Sequence, residues 1–151
     1  MITELDTNLL EYPLESFGHF CNCQLVMGGG LALRVKDKYP ELYKADLQTK
    51  KGDSKKLGSF SHAMTHDGKL GVNLYTQFNY GHGARYTSYD AVCNSLVKVN
   101  QFVQDNGLKT LGLPKNAGCV LGGGKWRIVK SIIDDIFEKS PVELYICNYD
   151  K

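Results

Sequence analysis

Two runs of glycine are the parts of this sequence that could bind an anion. Gly28 to Gly30 and Gly122 to Gly124 each lie between a strand-like apolar segment and a helix-like segment. A glycine turn that leads into a helix lets backbone approach a ligand, orients N–H groups inward and adds the helix dipole. A single turn of this kind often serves only close packing. Two such turns, each after a strand, could bracket a diphosphate.

The familiar phosphate-binding motifs do not match these turns. A dinucleotide motif, G-x-G-x-x-G, that starts at Gly28 needs a glycine at position 33, which is Leu33. A Walker loop that ends at Lys125 needs a glycine at 119 and a serine or threonine at 126, where the chain has Cys119 and Trp126. A G-x-S-x-G nucleophile elbow is absent as well. The sequence therefore excludes these three classes of site.

The segment YGHGARY contains the side chains with the clearest chemical potential. A histidine such as His82 can take or give a proton near neutrality, and an arginine such as Arg85 can hold a phosphate through two hydrogen bonds. The alternative is that His82 is simply an exposed loop residue. His19 is expected to be a core or supporting histidine, and His62 and His66 belong to a predicted hairpin without a chemical role.

Apolar periodicity predicts the elements that position these residues. Strands are predicted at 2–5, 17–23, 57–65, 69–77, 109–114 and 142–149, and helices from the first glycine turn to a stop at Pro40, from 88 to 106, and from 125 to 138. Asp67 and Gly68 predict the hairpin turn. Thr87 and Asp90 resemble a capping box before the second helix, and Gly107 stands where a C-terminal glycine belongs.

The order of these elements predicts the fold class. Strands and helices alternate around one hairpin, which indicates an α/β protein, specifically a three-layer α/β/α sandwich with a mixed central sheet. In such sheets ligands bind at the carboxyl ends of the strands. Both glycine turns follow predicted strands, so we expect both at that edge.

The composition is that of a globular protein with nearly balanced charge. Its 151 residues suit one domain, which we assign to 1–151. Eighteen basic and sixteen acidic residues leave a net charge of +2, which gives no sign of a nucleic-acid footprint. A local cluster of lysines is interrupted by small and acidic residues and is expected to be a solvated loop. It consists of Lys50, Lys51, Lys55 and Lys56.

The chain has no sequence feature typical of export or membrane insertion. Its first residues are acidic where a signal peptide is basic, and no apolar stretch approaches the roughly 18 residues of a membrane span. We expect a cytoplasmic protein, monomeric and without a membrane partner, whose five cysteines are reduced. Cys21 and Cys23 lack a second Cys/His pair at zinc-finger spacing, so we expect no metal there. We also expect no cofactor.

Three stretches, in order, resemble the macro domain family. They are CNCQLVMGGGLALRVKDKYP, NLYTQFNYGHGARYTSYDAV and LGLPKNAGCVLGGGKW. More narrowly, they are similar to the small macro domains that include ADP-ribose 1''-phosphate phosphatases and the terminal ADP-ribose protein glycohydrolase, a branch common in phage genomes. The resemblance implies an α/β/α sandwich whose two glycine loops grip the diphosphate of ADP-ribose.

The resemblance also implies roles for individual residues. The ligand-binding positions of the first loop are Met27, Gly28, Gly29, Gly30 and Ala32, and those of the second are Gly118, Cys119, Val120, Leu121, Gly122, Gly123 and Gly124. Asn22, Gln77 and His82 are the candidate catalytic residues beside the distal ribose, with Tyr80 and Arg85 as further ligand-binding residues there. Asn8 stands where many members have an adenine-binding aspartate, with Asp6 two residues earlier. Tyr149 is the aromatic residue expected near adenine, the alternative being an exposed residue near the chain end.

One departure from the family affects the expected chemistry. The glycohydrolases of this branch use a lysine at the end of a central strand and an aspartate in the second loop, whereas this chain has Gln77 and Gly122. The lysine-based mechanism is therefore not supported. The favoured function is hydrolysis of a group from the distal ribose of an ADP-ribose derivative, namely the phosphate of ADP-ribose 1''-phosphate.

Two other functions stay open at the level of sequence. One is a module that binds ADP-ribose without turnover. The other is a mono-ADP-ribosyl hydrolase that acts on modified macromolecules and uses water activated by the substrate's own phosphate. The expected partners are accordingly ADP-ribose, its derivatives, or ADP-ribosylated macromolecules.

Overall fold

The computed structural model describes residues 1–149, in which six strands form one sheet with helices on both faces. The strands are β1 (Ile2–Leu5), β2 (Ser16–Asn22), β3 (Phe60–Met64), β4 (Leu70–Gln77), β5 (Thr110–Pro114) and β6 (Glu143–Cys147). The helices are α1 (Gly30–Lys38), α2 (Pro40–Leu47), α3 (Tyr89–Asp105) and α4 (Trp126–Phe137), with a 3₁₀ turn at Ser54–Lys56.

The sheet is mixed, and its strand order is β1-β6-β5-β2-β4-β3. All neighbouring pairs are parallel except β3 and β4, the predicted hairpin. Gly68 adopts φ +87°, a conformation that glycine reaches without steric cost. The predicted fold class, an α/β/α sandwich around a mixed sheet, is confirmed.

The core lies in two layers, one on each face of the sheet. Val92, Leu96, Val99 and Val103 of α3 are fully buried with Ile133 and Phe137 of α4, against strand residues such as Leu74 and Leu113. On the other face, Val35 of α1, Leu42 of α2 and Tyr39 between the two helices are buried against Phe17. The period-matched apolar residues of the sequence therefore face the sheet, as predicted for amphipathic helices.

At the helix ends one prediction is confirmed and another was wrong. α1 ends at Lys38, before the predicted stop at Pro40, but the sequence did not predict α2, which Pro40 begins. Proline suits the first helical position because its missing N–H would have no acceptor there. At α3 the N-cap is Ser88, whose Oγ accepts from the Ala91 N–H at 3.2 Å. The predicted cap, Thr87, instead donates to the Gly118 carbonyl at 2.7 Å.

The lysine cluster is only partly the solvated loop that the sequence predicts. Lys56 is buried: its ammonium donates to Thr49 Oγ1 at 2.6 Å and lies 4.0 Å from a carboxylate oxygen of Asp46. It also lies 4.5 Å from the ring centroid of Tyr75. Because Asp46 is itself buried, this lysine balances a charge inside the protein. No helix among residues 1–149 is long and apolar enough to cross a membrane.

Candidate ligand-binding cleft

A cleft of about 580 Å³ opens at the carboxyl ends of the parallel strands. Its middle is formed by the two glycine loops, which follow β2 and β5. These strands are sheet neighbours and run parallel, with Phe17 opposite Gly112. Both loops therefore leave the sheet at the same edge, where the sequence predicts them.

The first loop is shaped by the side chain of Asn22. Asn22 Nδ2 donates to the Val26 carbonyl at 2.9 Å, and Asn22 Oδ1 accepts from the Gln24 N–H at 2.9 Å. Leu25 between them has φ +63°. Below the loop, Met27 is buried in a cluster with Cys21, Cys23 and Tyr75. Asn22 thus acts first as a scaffold of the loop, through both ends of its amide.

The start of α1 presents backbone N–H groups to the cleft. Gly29 is the N-cap with extended backbone, and no side chain caps this helix end. The first N–H groups of a helix have no acceptor within the helix. Gly28, Gly29 and Gly30 all line the cleft, and no Cβ obstructs the approach of a ligand there. This end of α1 suits an anionic group such as phosphate.

The second loop is held in place by residues that precede α3. The N–H groups of Tyr86 and Thr87 both donate to the Gly122 carbonyl, at 2.8 and 3.0 Å. Thr87 Oγ1 and the Gly124 N–H donate to the Gly118 carbonyl, at 2.7 and 2.9 Å. Thr87 is the main organising residue that sequence reasoning missed. Thr87 is 31 residues from Gly118, so no local pattern could have revealed this contact.

Packing excludes a side chain at Gly122. A Cβ there would lie 2.5 Å from Thr87 Oγ1 and 2.9 Å from Gln77 Oε1. Gly123 has φ +71°, and a Cβ on it would lie 2.5 Å from the Ala84 carbonyl oxygen. The glycines of the second loop are therefore required by the contact with Thr87 and its neighbours, whatever the ligand.

The cleft has two chemically different ends. We call one the β6 end; it is lined by Asn8, Leu9, Arg34, Lys115, Cys147, Asn148 and Tyr149. We call the other the β4 end; it is lined by Asn22, Gln77, Tyr80, Gly81 and His82. At the β6 end the Arg34 guanidinium carbon lies 5.6 Å from the ring centroid of Tyr149, which is 42% exposed. At the β4 end Gln77 Nε2 donates to the Asn79 carbonyl at 2.9 Å.

Most of the predicted site residues lie together in this cleft. Those that line it are Asn8, Asn22, Gly28, Gly29, Gly30, Ala32, Gln77, Tyr80, His82, Gly118, Val120, Leu121, Gly122 and Tyr149. Five others do not line it. Met27 is buried in the core, Cys119 packs on the core beneath the loop, and Gly123 and Gly124 face the Ala84 and Thr87 side. Arg85 lies in a neighbouring groove, with its guanidinium carbon 4.7 Å from the ring centroid of Tyr89.

Sequence reasoning missed the two cations of the cleft, Arg34 and Lys115. Among residues 1–149, no aspartate or glutamate lines the cleft, so its charged side chains favour an anion. Exposed lysines and arginines are common on any surface. Only the juxtaposition of α1 with the end of β5 singles out these two.

His19 forms part of the cleft wall and is buried, as predicted. Its Nε2 lies 2.6 Å from Asn73 Oδ1. Because Asn73 Nδ2 donates to Leu42 and Ser61, Oδ1 is the acceptor and His19 is the donor. Burial lowers the pKa of His19 to about 4, despite the opposing hydrogen bond. His19 is therefore neutral at physiological pH and does not supply positive charge to the cleft.

Comparison with known proteins identifies relatives of this chain. The chain is 34% identical over 142 residues to an uncharacterized 17.5 kDa protein of Enterobacteria phage T4, which covers 90% of this chain and 87% of the phage protein. It is 25% identical over 146 residues to the human ADP-ribose glycohydrolase OARD1, which covers 96% of this chain and 90% of the human one. No family model matches the chain.

Solved structures share the architecture. The macrodomain of Mycobacterium tuberculosis DarG superimposes with a TM-score of 0.83 at 21% identity, over 100% of this chain and 99% of that one. Thermosipho africanus DarTG in complex with ADP-ribose matches with a TM-score of 0.80 at 18% identity, over 97% of this chain and 41% of that one. The fold is that of a macro domain. The chain belongs to the macro domain family.

Proposed function

We propose that the protein binds ADP-ribose or a derivative of it and hydrolyses a group from the distal ribose, with ADP-ribose 1''-phosphate as the substrate. The observation that carries this proposal is the pairing of two glycine loops, on adjacent parallel strands, around one cleft whose charged side chains are cations. A diphosphate is the ligand chemistry that such a pair suits. One relative is named an ADP-ribose glycohydrolase, and one structural neighbour was solved with ADP-ribose.

The two ends of the cleft suggest the direction of the ligand. A planar base fits the β6 end, where Tyr149 offers an aromatic face and Asn8 an amide. The distal ribose then lies at the β4 end, among the amides of Asn22 and Gln77. This direction leaves the 1''-phosphate near His82, which lines the same end.

His82 has a definite task in the proposed reaction. The oxygen of a water molecule forms a bond to phosphorus, the bond between phosphorus and the sugar O1'' breaks, and O1'' takes up a proton from protonated His82. The proton that the attacking water loses returns to His82, which restores its protonated form. The products are ADP-ribose and inorganic phosphate. The N–H groups at the start of α1 would stabilise negative charge on the phosphates during this step.

A specific observation favours a second function, a binding module without turnover. Within the described part of the chain no carboxylate lines the cleft. The resemblance to the family puts Gln77 and Gly122 where the glycohydrolases have a lysine and an aspartate. Both ends of the Asn22 amide are already bonded inside the first loop. A site with so few free acid–base groups suits recognition as well as catalysis.

One experiment separates these functions. Purified protein is titrated with ADP-ribose by calorimetry and incubated with ADP-ribose 1''-phosphate and with mono-ADP-ribosylated protein, and the products are followed by mass and by phosphate release. We expect binding in the micromolar range, roughly 7 to 9 kcal/mol, and phosphate release from the first substrate. Binding without turnover supports the module, and release of ADP-ribose from the modified protein supports a glycohydrolase. Absence of binding at millimolar ligand would refute the proposal.

A further inference from the structure

Two cations from distant parts of the chain line the β6 end of the cleft. Arg34 belongs to α1, and Lys115 follows β5 directly. Both side chains are exposed, and within residues 1–149 neither forms an ion pair with a carboxylate. Asp6 accepts from Nδ2 of the lining residue Asn148 at 3.3 Å but does not itself line the cleft. The two cations are therefore available to an anionic ligand.

Both cations adjoin the segment that leaves β6. The Lys115 N–H donates to the Cys147 carbonyl at 2.9 Å, which holds the backbone of Lys115 beside the last residue of β6. The Arg34 guanidinium carbon lies 5.6 Å from the ring centroid of Tyr149, within the range of a cation–π contact. A ligand that lies against Tyr149 therefore passes close to both cations.

The diphosphate of the proposed ligand has other partners in the cleft. In the proposed direction it lies in the middle, against the N–H groups at the start of α1 and the second glycine loop. Arg34 follows Gly30 by four residues, about 6 Å along the helix axis, and its guanidinium lies beside Tyr149. The adenosine ribose connects the base near Tyr149 with the diphosphate, so this ribose is the part of the ligand that the two cations face.

We infer that Arg34 and Lys115 form a subsite for a phosphate ester on the 2'- or 3'-hydroxyl of the adenosine ribose; this inference rests on the ligand and its direction in the proposed function. A phosphate monoester carries a charge of roughly −1.5 to −2 at pH 7, which two cations match. In dinucleotide-binding folds an acidic residue accepts from the 2'-hydroxyl, whereas an arginine accommodates a 2'-phosphate. This end of the cleft has an arginine, and no carboxylate lines the cleft within residues 1–149. It thus suits the phosphorylated ribose better than the free hydroxyl.

The test compares ADP-ribose with ADP-ribose 2'-phosphate and ADP-ribose 3'-phosphate by calorimetry on the full chain. We expect one of the phosphorylated ligands to bind about tenfold more tightly than ADP-ribose at low ionic strength, because charge-assisted hydrogen bonds to the added phosphate form only there. The isomer that binds more tightly identifies the hydroxyl. Because the two cations are exposed, this preference should shrink to about threefold or less in about 0.5 M salt.

Neutral variants test the two residues. We expect Arg34→Gln and Lys115→Gln each to lower the preference for the phosphorylated ligand by about threefold, and the double variant to abolish it. The affinity for ADP-ribose itself should fall less, since backbone N–H groups hold the diphosphate. Lys139→Gln removes the same charge from an exposed position after α4, outside the cleft, and should leave the preference unchanged. Circular dichroism of each variant checks that the fold is kept.

The outcomes separate this inference from the proposed function. If ADP-ribose binds as tightly as both phosphorylated ligands, or more tightly, the subsite does not exist. A preference that survives in the double variant would show that other residues create it and would equally overturn the assignment. The expected preference without hydrolysis of ADP-ribose 1''-phosphate would support the subsite while the proposed reaction fails. If none of the three ligands binds, the proposed function itself fails and this inference fails with it.

Discussion

Gly29 is the position where a side chain can enter the cleft with little disturbance of the fold. Its backbone is extended, at φ −155° and ψ 164°, a conformation open to any residue. A Cβ there would lie 3.5 Å from Leu121 Cδ1, an ordinary van der Waals contact. Gly123 is the opposite case, since it combines φ +71° with a Cβ that would lie 2.5 Å from the Ala84 oxygen. A block of the ligand site is therefore best placed at Gly29.

We predict that Gly29→Glu abolishes micromolar binding of ADP-ribose. A carboxylate at roughly 5 Å from a phosphate, in surroundings with an effective dielectric constant of about 20, opposes binding by about 3 kcal/mol. This corresponds to a loss of at least about 100-fold, and the volume of the side chain adds to it. Gly29→Gln has nearly the same volume without the charge, and Gly29→Ala adds only the Cβ.

Calorimetric titration of the three variants measures these contributions. We expect Gly29→Ala to bind within a fewfold of the unaltered protein, Gly29→Gln more weakly, and Gly29→Glu most weakly. The N-cap glycine is lost in all three, so any cost to α1, up to about 1 kcal/mol in urea unfolding, is shared. Equal affinities for Gly29→Glu and Gly29→Gln would refute the argument that a phosphate lies against the start of α1.

Three further results are expected. Thr87→Val should lower the free energy of unfolding by about 1 kcal/mol and weaken ADP-ribose binding, because the Gly118 carbonyl loses a hydrogen bond. Thr87→Ser keeps the hydroxyl, so it should keep both the stability and the affinity. Equal urea midpoints for the two variants would contradict this. His82→Ala should slow phosphate release by a factor of about 10² to 10⁴ with little change in the Kd for ADP-ribose. Unchanged kinetics would remove His82 from the mechanism. Stability should fall by up to about 3 kcal/mol as the pH drops from about 6.5 to about 4, because the unfolded chain protonates His19 before the folded protein does. His19→Gln should flatten that part of the profile, and an unaltered slope would show that another group causes it.

Much of the fold could be predicted because it depends on local patterns. The four- and three-residue steps of Val92, Leu96, Val99 and Val103 fixed one face of α3, and that face is buried. The hairpin followed from the Asp67-Gly68 turn, and the two glycine loops followed from their positions after strands. α2 escaped prediction because its sequence is polar and short, and its apolar contribution to the core is mainly Leu42. Packing on the sheet, which no local signal shows, stabilises it.

Part of the candidate site could likewise be predicted from the sequence, and the rest depends on the tertiary structure. Residue types and spacing alone were enough to identify the glycine loops and to exclude the dinucleotide, Walker and nucleophile-elbow motifs. Only the tertiary structure brings Arg34, Lys115 and Asn148 to the cleft, directs Arg85 away from it, and makes Thr87 the support of the second loop. The positions of these side chains depend on contacts between residues far apart in the chain. Such contacts follow from the strand order and register of the sheet. A sequence pattern records the preferences of neighbouring residues, whereas such contacts arise only when the sheet has formed.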